Sequence, residues 1–369
     1  GSEMCIRDRH NAAFDVAANA KVFFELLKRS IIKSHGIFPE LDYKQLQYQA
    51  PDLSGLEIPA PEAVKTQPVL KASVPKQVSA LPYVALHNHS QFSVLQAVSS
   101  IEDLIKKADA YNMHALALTD HGNMFGVFLF WQALQKHNEK VKKYNSQIDQ
   151  QGAPKTAKPY IKPILGCEFN VCQNHTDKSR QDNGYPLPLV ALNKTGYINL
   201  CALSSTASTA GMYYVPRIDK LLLANHHEGL LCFTGSLQSE LAQSILNYGI
   251  QRAEELFKWY IQVFGDRLYI EINRHGIEEE QQVNAVLMEW SAKYNIPYFA
   301  ANATYYTDSQ HAYSRDILIG VKESLSFTNT KELDQLKNNS RLGRLFLPNG
   351  SYYFKSPEEM TLFFQDCHE

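Results

Sequence analysis

Two histidines two positions apart, His87 and His89, follow an apolar run at residues 83–86 and are well suited to bind a metal. Side chains at positions i and i+2 of a strand leave the same face, so both imidazoles can reach one point. Imidazole pairs are common ligands of zinc and related ions. An isolated pair of this kind is about as often two polar residues at a loop mouth. The metal interpretation gains weight because later strands also end in polar residues.

The clearest of these later strand ends carry Asp120-His121 and Glu168. In a barrel of parallel strands, the carboxyl ends of the strands form the active site. We therefore expect His87, His89, His121 and Glu168 to converge there. Three imidazoles and a carboxylate suit zinc, manganese or iron. Magnesium is a further divalent metal considered as a cofactor. Such ions would polarise a phosphate ester and activate water.

Other polar residues at the strand ends have structural interpretations beside functional ones. Asp120 and Glu271 could cap helices or form ion pairs inside the barrel, and His275 could be a hydrogen-bonded core histidine. A buried charge needs a partner, which makes Asp120 harder to dismiss. We expect Asp120 and His275 to support the site by hydrogen bonds rather than to bind metal directly.

Runs with strand and helix periodicity alternate from residue 83 onward. The predicted strands are 83–88, 114–119, 161–171, 186–192, 229–235, 267–273 and 297–303. Such alternation predicts an α/β fold with a mainly parallel sheet, and seven units favour a closed barrel. A Ser99-x-x-Glu102 capping box is predicted to start the first helix of this region.

The two ends of the sequence differ from the barrel region at 83–330. Residues 1–9 lack periodicity, and an amphipathic helix is predicted up to about residue 33. Residues 36–82 are punctuated by prolines and are interpreted as an extended linker. Near the other end, a strand is predicted at 351–355, and Ser356-Pro357 is a strong helix start. Since few residues follow, we expect the chain to be part of a longer protein.

Composition is ordinary for a globular protein, with 44% hydrophobic and 20% charged residues and a formal charge of −2. No apolar run approaches the ~20 residues that span a bilayer, so no membrane association is expected. Six scattered cysteines without CxxC pairs favour the reducing cytoplasm. The net charge gives no electrostatic reason to expect nucleic-acid binding, and the lysine-rich segment 136–158 is interpreted as a solvated surface.

Several motifs in order resemble the PHP (polymerase and histidinol phosphatase) domain: HNHS at 87–90, LTDHGNM at 118–124 and GCE at 166–168. With YVPR at 214–217 and YYFKSPEEM at 352–360, the form resembles the alpha subunits of bacterial DNA polymerase III. The resemblance implies a distorted seven-stranded (βα)7 barrel at 83–330 and the start of a polymerase core at 331–369. The polymerase aspartates would lie beyond residue 369, so this chain is not expected to polymerise DNA by itself.

A second resemblance concerns residues 1–35. His10 and Asp15, followed by an apolar helix, resemble the last motif of ribonuclease-H-like proofreading exonucleases, in which the histidine is a general base and the aspartate a metal ligand. A single carboxylate cannot hold two metals, so we interpret 1–35 as an inactive remnant. Together the two resemblances are similar to the fused alpha subunits of the Bacteroidetes type.

The PHP resemblance also implies about nine metal ligands, of which this sequence keeps a part. His87, His89, His121 and Glu168 match, and His175 is a fifth candidate. Four expected ligand positions are occupied by other residues: Gln96, Ser236, Ala303 and Tyr305. A three-metal phosphoesterase is therefore not expected, and no catalytic residue is assigned.

Three functions remain open from the sequence. The leading hypothesis is a structural PHP domain with an eroded metal site, meeting DNA and other holoenzyme subunits through its parent polymerase. The alternative is a metal-dependent 3′–5′ exonuclease or phosphoesterase that retains one divalent metal. A free-standing sugar-phosphate or histidinol phosphatase is weaker, because the linker and the unfinished terminal helix do not suit a standalone enzyme.

Overall fold

The structure is a computed structural model that describes residues 83–151, 156–325, 327, 329–339 and 345–364. The predictions for 1–35 and for the linker at 36–82, with His10 and Asp15, lie outside the described residues. Within the described ranges, no helix has the length and apolar character needed to cross a bilayer.

Seven strands form one curled sheet. They are β1 (Ala115–Leu118), β2 (Lys162–Cys172), β3 (Tyr185–Ala191), β4 (Arg217–Asp219), β5 (Leu230–Phe233), β6 (Leu268–Asn273) and β7 (Tyr298–Ala301). The order of the strands is β1-β2-β3-β5-β6-β7, and β4 pairs with β2 outside this path. The sequence missed β4 because three residues are too few to show a period.

The sheet is less parallel than the sequence predicted, because β3 runs antiparallel to both β2 and β5. Parallel neighbours need a crossover connection, usually a helix. Residues 173–184 between β2 and β3 contain no helix, so the chain returns directly alongside β2. The remaining pairs along the path, β1 with β2, β5 with β6 and β6 with β7, are parallel as expected.

Residues 85–89 close the barrel between β1 and the end of β7. The amide of Thr119 donates to the Asn88 carbonyl at 2.9 Å, and the amide of His89 donates to the Thr304 carbonyl at 2.9 Å. The predicted strand at 83–88 is reduced to a single bridge, at Asn88. With the six strands of the main path, this segment makes seven extended segments around the barrel axis, and β4 lies outside them, which confirms the predicted α/β barrel fold.

Ten α-helices lie in the described ranges. They are α1 (Ile101–Ala110), α2 (Val127–Gln151), α3 (Lys194–Ser208), α4 (Lys220–Asn225), α5 (Glu240–Asn247), α6 (Ile250–Phe264), α7 (Glu278–Tyr294), α8 (Ala312–Lys322), α9 (Thr330–Lys337) and α10 (Pro357–Phe363). The helices bury apolar faces against the sheet. The largest cluster includes Leu203, Phe257, Ile270 and Trp290.

The two predicted helix starts had different outcomes. The N-cap of α1 is Ser100, whose hydroxyl accepts from the Asp103 amide, so the prediction of Ser99 with Glu102 was wrong by one position. Neighbouring serines with acids three residues on offer two equivalent capping patterns. At α10, Ser356 caps the helix with Glu359 in a full capping box and proline at N1, as predicted.

Residues 345–364 pack back against the barrel. The predicted strand at 351–355 is an extended segment with one bridge, between Tyr353 and Tyr306. Phe354 is buried in the cluster under α1 and stacks on Tyr111 with ring centroids 6.2 Å apart. The C-terminal segment therefore supports the end of the barrel where β7 meets residues 85–89.

Candidate metal centre

One buried carboxylate lies at the centre of the site. Glu168, on β2, accepts hydrogen bonds from His87 Nε2 at 3.1 Å, from His89 Nε2 at 3.2 Å and from His121 Nδ1 at 2.8 Å. The potential ligand atoms of His87, His89 and Glu168 all lie within 4.8 Å of one another. The structure thus brings together the four residues that the sequence singled out as matching ligands.

Backbone pairing places these residues side by side. Glu168 and His121 form a parallel bridge, in which the Gly122 amide donates to the Glu168 carbonyl at 2.7 Å and the Glu168 amide donates to the Asp120 carbonyl at 3.0 Å. This continues the β1–β2 register past the end of β1. The pairing explains why His121, which follows β1, lies next to Glu168 on β2.

Hydrogen bonds on the far side of each imidazole fix the orientation of the two opening histidines. His87 Nδ1 donates to Glu271 Oε1 at 2.8 Å, and His89 Nδ1 donates to the Thr304 carbonyl at 2.9 Å. Both rings therefore direct Nε2 toward Glu168. Metal-binding histidines are held in this way by a carboxylate or a backbone carbonyl. The donor set fits one divalent ion bound by two imidazoles and a carboxylate, a set that zinc and manganese accept.

Attraction between the imidazoles and the carboxylates sets the pKa values of the site. Burial disfavours a charged His87, but Glu271 and Glu168 outweigh burial and raise the pKa of His87 to about 10. Burial also opposes charge on Glu168, yet the bonds from His121, His87 and His89 hold its pKa well below the usual range. The cluster is therefore a buried ion pair that a divalent cation could replace by displacing the His87 Nε2 proton.

Asp120 lies behind the ligands. Its Oδ1 accepts from the Ser90 amide at 2.6 Å and from Ser93 Oγ at 2.7 Å, and its Oδ2 accepts from Ser90 Oγ at 2.8 Å. Ser93 Oγ also accepts from the amide of His121 at 3.0 Å. Asp120 therefore fixes the turn that follows His89 against the segment that carries His121.

His275 and His175 lie apart from the Glu168 group. His275 Nδ1 donates to Glu280 at 2.6 Å, and its ring stacks on Tyr352 with centroids 3.9 Å apart. His175 Nδ1 donates to Asp219, on β4, at 2.5 Å. Within the described residues, the group suited to a metal ion contains neither of these histidines.

The four positions where the family resemblance led us to expect further ligands offer little to a metal. Gln96 is half-buried, and its backbone carbonyl accepts a hydrogen bond from Arg315 Nε at 3.2 Å. Ser236 is half-buried beyond β5, and the small side chain of Ala303 is buried. Tyr305 stacks on His89 with ring centroids 4.3 Å apart. An aromatic ring thus covers one side of the site.

Three supporting residues of the site were not assigned by sequence. Glu271 was noted as a strand end but not as the partner of His87, although its alternation with apolar Ile270 and Ile272 is a signal that it faces inward. The Thr304 carbonyl has no sequence signal, because every residue carries one. Arg315 lies on α8, where its guanidinium is 5.3 Å from the Tyr305 ring, and distance along the chain hid that contact.

Barrel and site together define a class of protein, the α/β barrels that gather histidines and a carboxylate at the carboxyl ends of their strands. Residues 85–275 match the family model described as the PHP domain. This match covers more than half of the chain, and it contains the four clustered residues. The chain therefore belongs to the PHP domain family.

The curated relatives point to one kind of protein within that family. The chain is 36% identical over 289 residues to the DNA polymerase III subunit alpha of Treponema pallidum, covering 77% of this chain and 22% of that protein. The same subunit of Borreliella burgdorferi is 33% identical, with coverages of 78% and 22%. That of Thermus aquaticus is 33% identical, with coverages of 76% and 21%. The chain spans about a fifth of the length of these relatives.

Proposed function

We propose that the barrel is the PHP domain of a DNA polymerase III alpha subunit and that its main role is structural. In this proposal it braces the polymerase region of its parent protein in the bacterial cytoplasm. DNA and other holoenzyme subunits are then met through that parent. The similarity to three alpha subunits supports the assignment to this parent.

The proposal of a structural role rests on which residues line the mouth of the site. One carboxylate, Glu168, serves three imidazoles, and Tyr305 stacks over His89 where another ligand would be needed for more metals. A phosphoesterase of the multi-metal kind clamps both attacking and leaving oxygens between ions. With ligands for one ion, the site supports metal-assisted folding better than that chemistry.

If an ion binds, the residues that would hold it are His87 and His89 through Nε2, and Glu168, with His121 beside them. Zinc or manganese fits imidazole and carboxylate donors, whereas magnesium prefers an all-oxygen set. Bound metal would neutralise the buried carboxylate. We expect the ion to stabilise the contact between residues 87–89 and Glu168 of β2 inside the barrel.

Metal analysis combined with a nuclease assay tests the structural role. The purified 369-residue chain is supplied with zinc or manganese, its metal content is measured by mass spectrometry, and release of nucleotides from a 3′-labelled oligonucleotide is followed. We expect at most about one ion per chain and no nuclease activity above that of His87→Ala. The matched control is His114→Ala, an exposed histidine. Metal-dependent nuclease activity lost in His87→Ala and kept in His114→Ala would overturn the structural role.

The second candidate is a PHP 3′–5′ exonuclease or phosphoesterase with a reduced, one-metal site. The specific observation in its favour is that Glu271 and the Thr304 carbonyl hold Nδ1 of His87 and His89, so both rings are already oriented with Nε2 toward Glu168. A chain that takes up no zinc or manganese at millimolar supply would exclude this candidate. The same result leaves the structural role intact.

A further inference from the structure

An aromatic surface starts at the loop that carries His121 and continues onto helix α2. Phe125, Phe128 and Trp131 expose 64%, 65% and 45% of their surface, and Leu129 is exposed beside them. The opposite face of α2 is an ordinary buried face, with Phe130 fully enclosed. A cluster of large exposed apolar side chains on one helix end marks an interaction site.

This surface is held rigidly beside the candidate metal centre. Asn123 Nδ2 donates to the carbonyls of Phe92 and His121 at 2.8 and 3.1 Å, and the Phe125 amide donates to Asn123 Oδ1 at 3.0 Å. The Phe128 and Trp131 rings are 6.3 Å apart and tilted by 32°. Anything stacked on these rings would therefore lie at a fixed position next to the mouth of the barrel.

Further along, the solvent-exposed side of α2 carries lysines. Lys136, Lys140, Lys142 and Lys143 are exposed, with Glu139 among them. In the part of the chain that the structure describes, none of these four lysines forms an ion pair. At about 100° per residue, Lys142 lies within about 40° of Phe128 and Trp131 around the helix and about 21 Å along it from Phe128. Lys143, Lys136 and Lys140 lie about 60°, 80° and 120° around the helix from Phe128.

We propose that the exposed side of α2 and the loop before it, from Phe125 to Lys143, bind single-stranded DNA, with the aromatic rings and Lys142 on one stripe and the other lysines beside it. Bases stack on exposed aromatic rings without regard to sequence, and exposed lysines contact the phosphates. The chemistry favours a nucleic acid over a protein, because the cores of protein interfaces are depleted in lysine. The length of the face accommodates several nucleotides. The surface needs neither the metal nor any nuclease activity.

Fluorescence anisotropy of a labelled 15-nucleotide oligo-dT tests the proposal on the 369-residue chain. We expect saturable binding that weakens with salt, with a slope of about −0.7 per phosphate neutralised. Phe128→Ala and Trp131→Ala should each weaken binding by about tenfold or more through lost stacking. Lys142→Glu should weaken it and flatten the salt dependence. Quenching of tryptophan fluorescence by unlabelled oligo-dT, present in the wild type and absent in Trp131→Ala, gives a second readout.

Matched controls are Tyr298→Ala, another exposed aromatic, and Lys194→Glu, another exposed lysine. Both should bind oligo-dT like the wild type. Absence of binding at low salt overturns the proposal, and so does binding that the control substitutions weaken as much as Phe128→Ala does. The chain could instead self-associate through this surface. Light scattering would then detect a dimer that becomes a monomer in Phe128→Ala. A dimer of this kind without oligo-dT binding overturns the proposal. Circular dichroism of each variant establishes that it is folded.

Discussion

His89 and Tyr305 stack face to face, with ring centroids 4.3 Å apart and planes inclined by 13°. Burial, and then the charge of Glu168, raise the pKa of the Tyr305 hydroxyl above its usual range. The phenol therefore stays neutral near neutral pH and offers no charged oxygen to a metal. Arg315 lies on the Tyr305 ring at 5.3 Å and adds a positive charge nearby. The stack places an aromatic ring against His89, at a position where the family resemblance led us to expect a metal ligand.

Replacing this stack by metal ligands should enlarge the site. The double substitution Ala303→Asp with Tyr305→His introduces a carboxylate and an imidazole on either side of Thr304, whose backbone pairs with His87 and His89. We expect bound zinc to increase from about one toward two ions per chain, because the ligand set then suffices for a second ion. Mass spectrometry of the dialysed protein measures this ratio. Tyr305→Phe keeps the stacked ring and should leave the ratio unchanged, and an unchanged ratio in the double variant would contradict the prediction.

The carboxylate behind His87 should tune metal affinity without abolishing it. In Glu271→Gln the partner of His87 Nδ1 loses its charge, which makes the imidazole a weaker ligand. We expect zinc affinity to fall by about 10- to 100-fold, as for other outer partners of metal-binding histidines. Competition with a chromophoric chelator gives the dissociation constant. Glu279→Gln, at an exposed position of α7, is the matched control, and equal effects in both variants would show that Glu271 does not orient His87.

Loss of the Asp120 charge should destabilise the fold. Asp120 is 1% exposed and accepts three hydrogen bonds from Ser90 and Ser93. In Asp120→Asn one acceptor becomes a donor facing a donor, so we expect the free energy of unfolding in urea to fall by about 1–3 kcal/mol. Asp103→Asn breaks an exposed pair with Lys106 and should cost less than about 1 kcal/mol. Similar losses in both variants would argue against a buried bracing role.

Lys355 should make stability depend on pH. Burial lowers the pKa of Lys355 to about 7, against the opposing charges of Glu359 and Glu280. The amine donates to Asn302 Oδ1 and to the Ser351 carbonyl. Between pH 7 and the unfolded value of 10.5, the unfolded chain holds a proton that the folded chain has lost. Stability from this residue therefore rises with pH across that window and is lost as pH falls through 7.

The variant Lys355→Met removes this titration. We expect the difference in unfolding free energy between wild type and variant to move in favour of the wild type by up to a few kcal/mol from pH 7 to pH 10, at about 1.4 kcal/mol per pKa unit. Urea unfolding at several pH values measures the difference. A difference that does not change with pH would show that the Lys355 amine is not desolvated in the folded protein.

The sequence determined the parts of the fold that rest on local patterns. The capping box at Ser356 follows from a few consecutive side chains, and the alternation of helical runs with strands rests on apolar periods that repeat often enough to be recognised. The pairing of His87 and His89 with His121 and Glu168 was also predictable, since strand ends of a barrel meet at one rim. The sequence did not discriminate between Ser99 and Ser100 as the N-cap, because each serine is followed three residues later by an acidic residue.

Tertiary structure alone decided the surroundings of these residues. The direction of β3 depended on a loop that contains no helix. The partners of the imidazoles came from residues 184 and 215 positions away along the chain, Glu271 and Thr304. The stacking of Tyr305 on His89 and the return of residues 345–364 to the barrel likewise join distant segments. A sequence pattern records which residue types are present and their local spacing, whereas hydrogen bonds between distant segments depend on how the whole barrel closes.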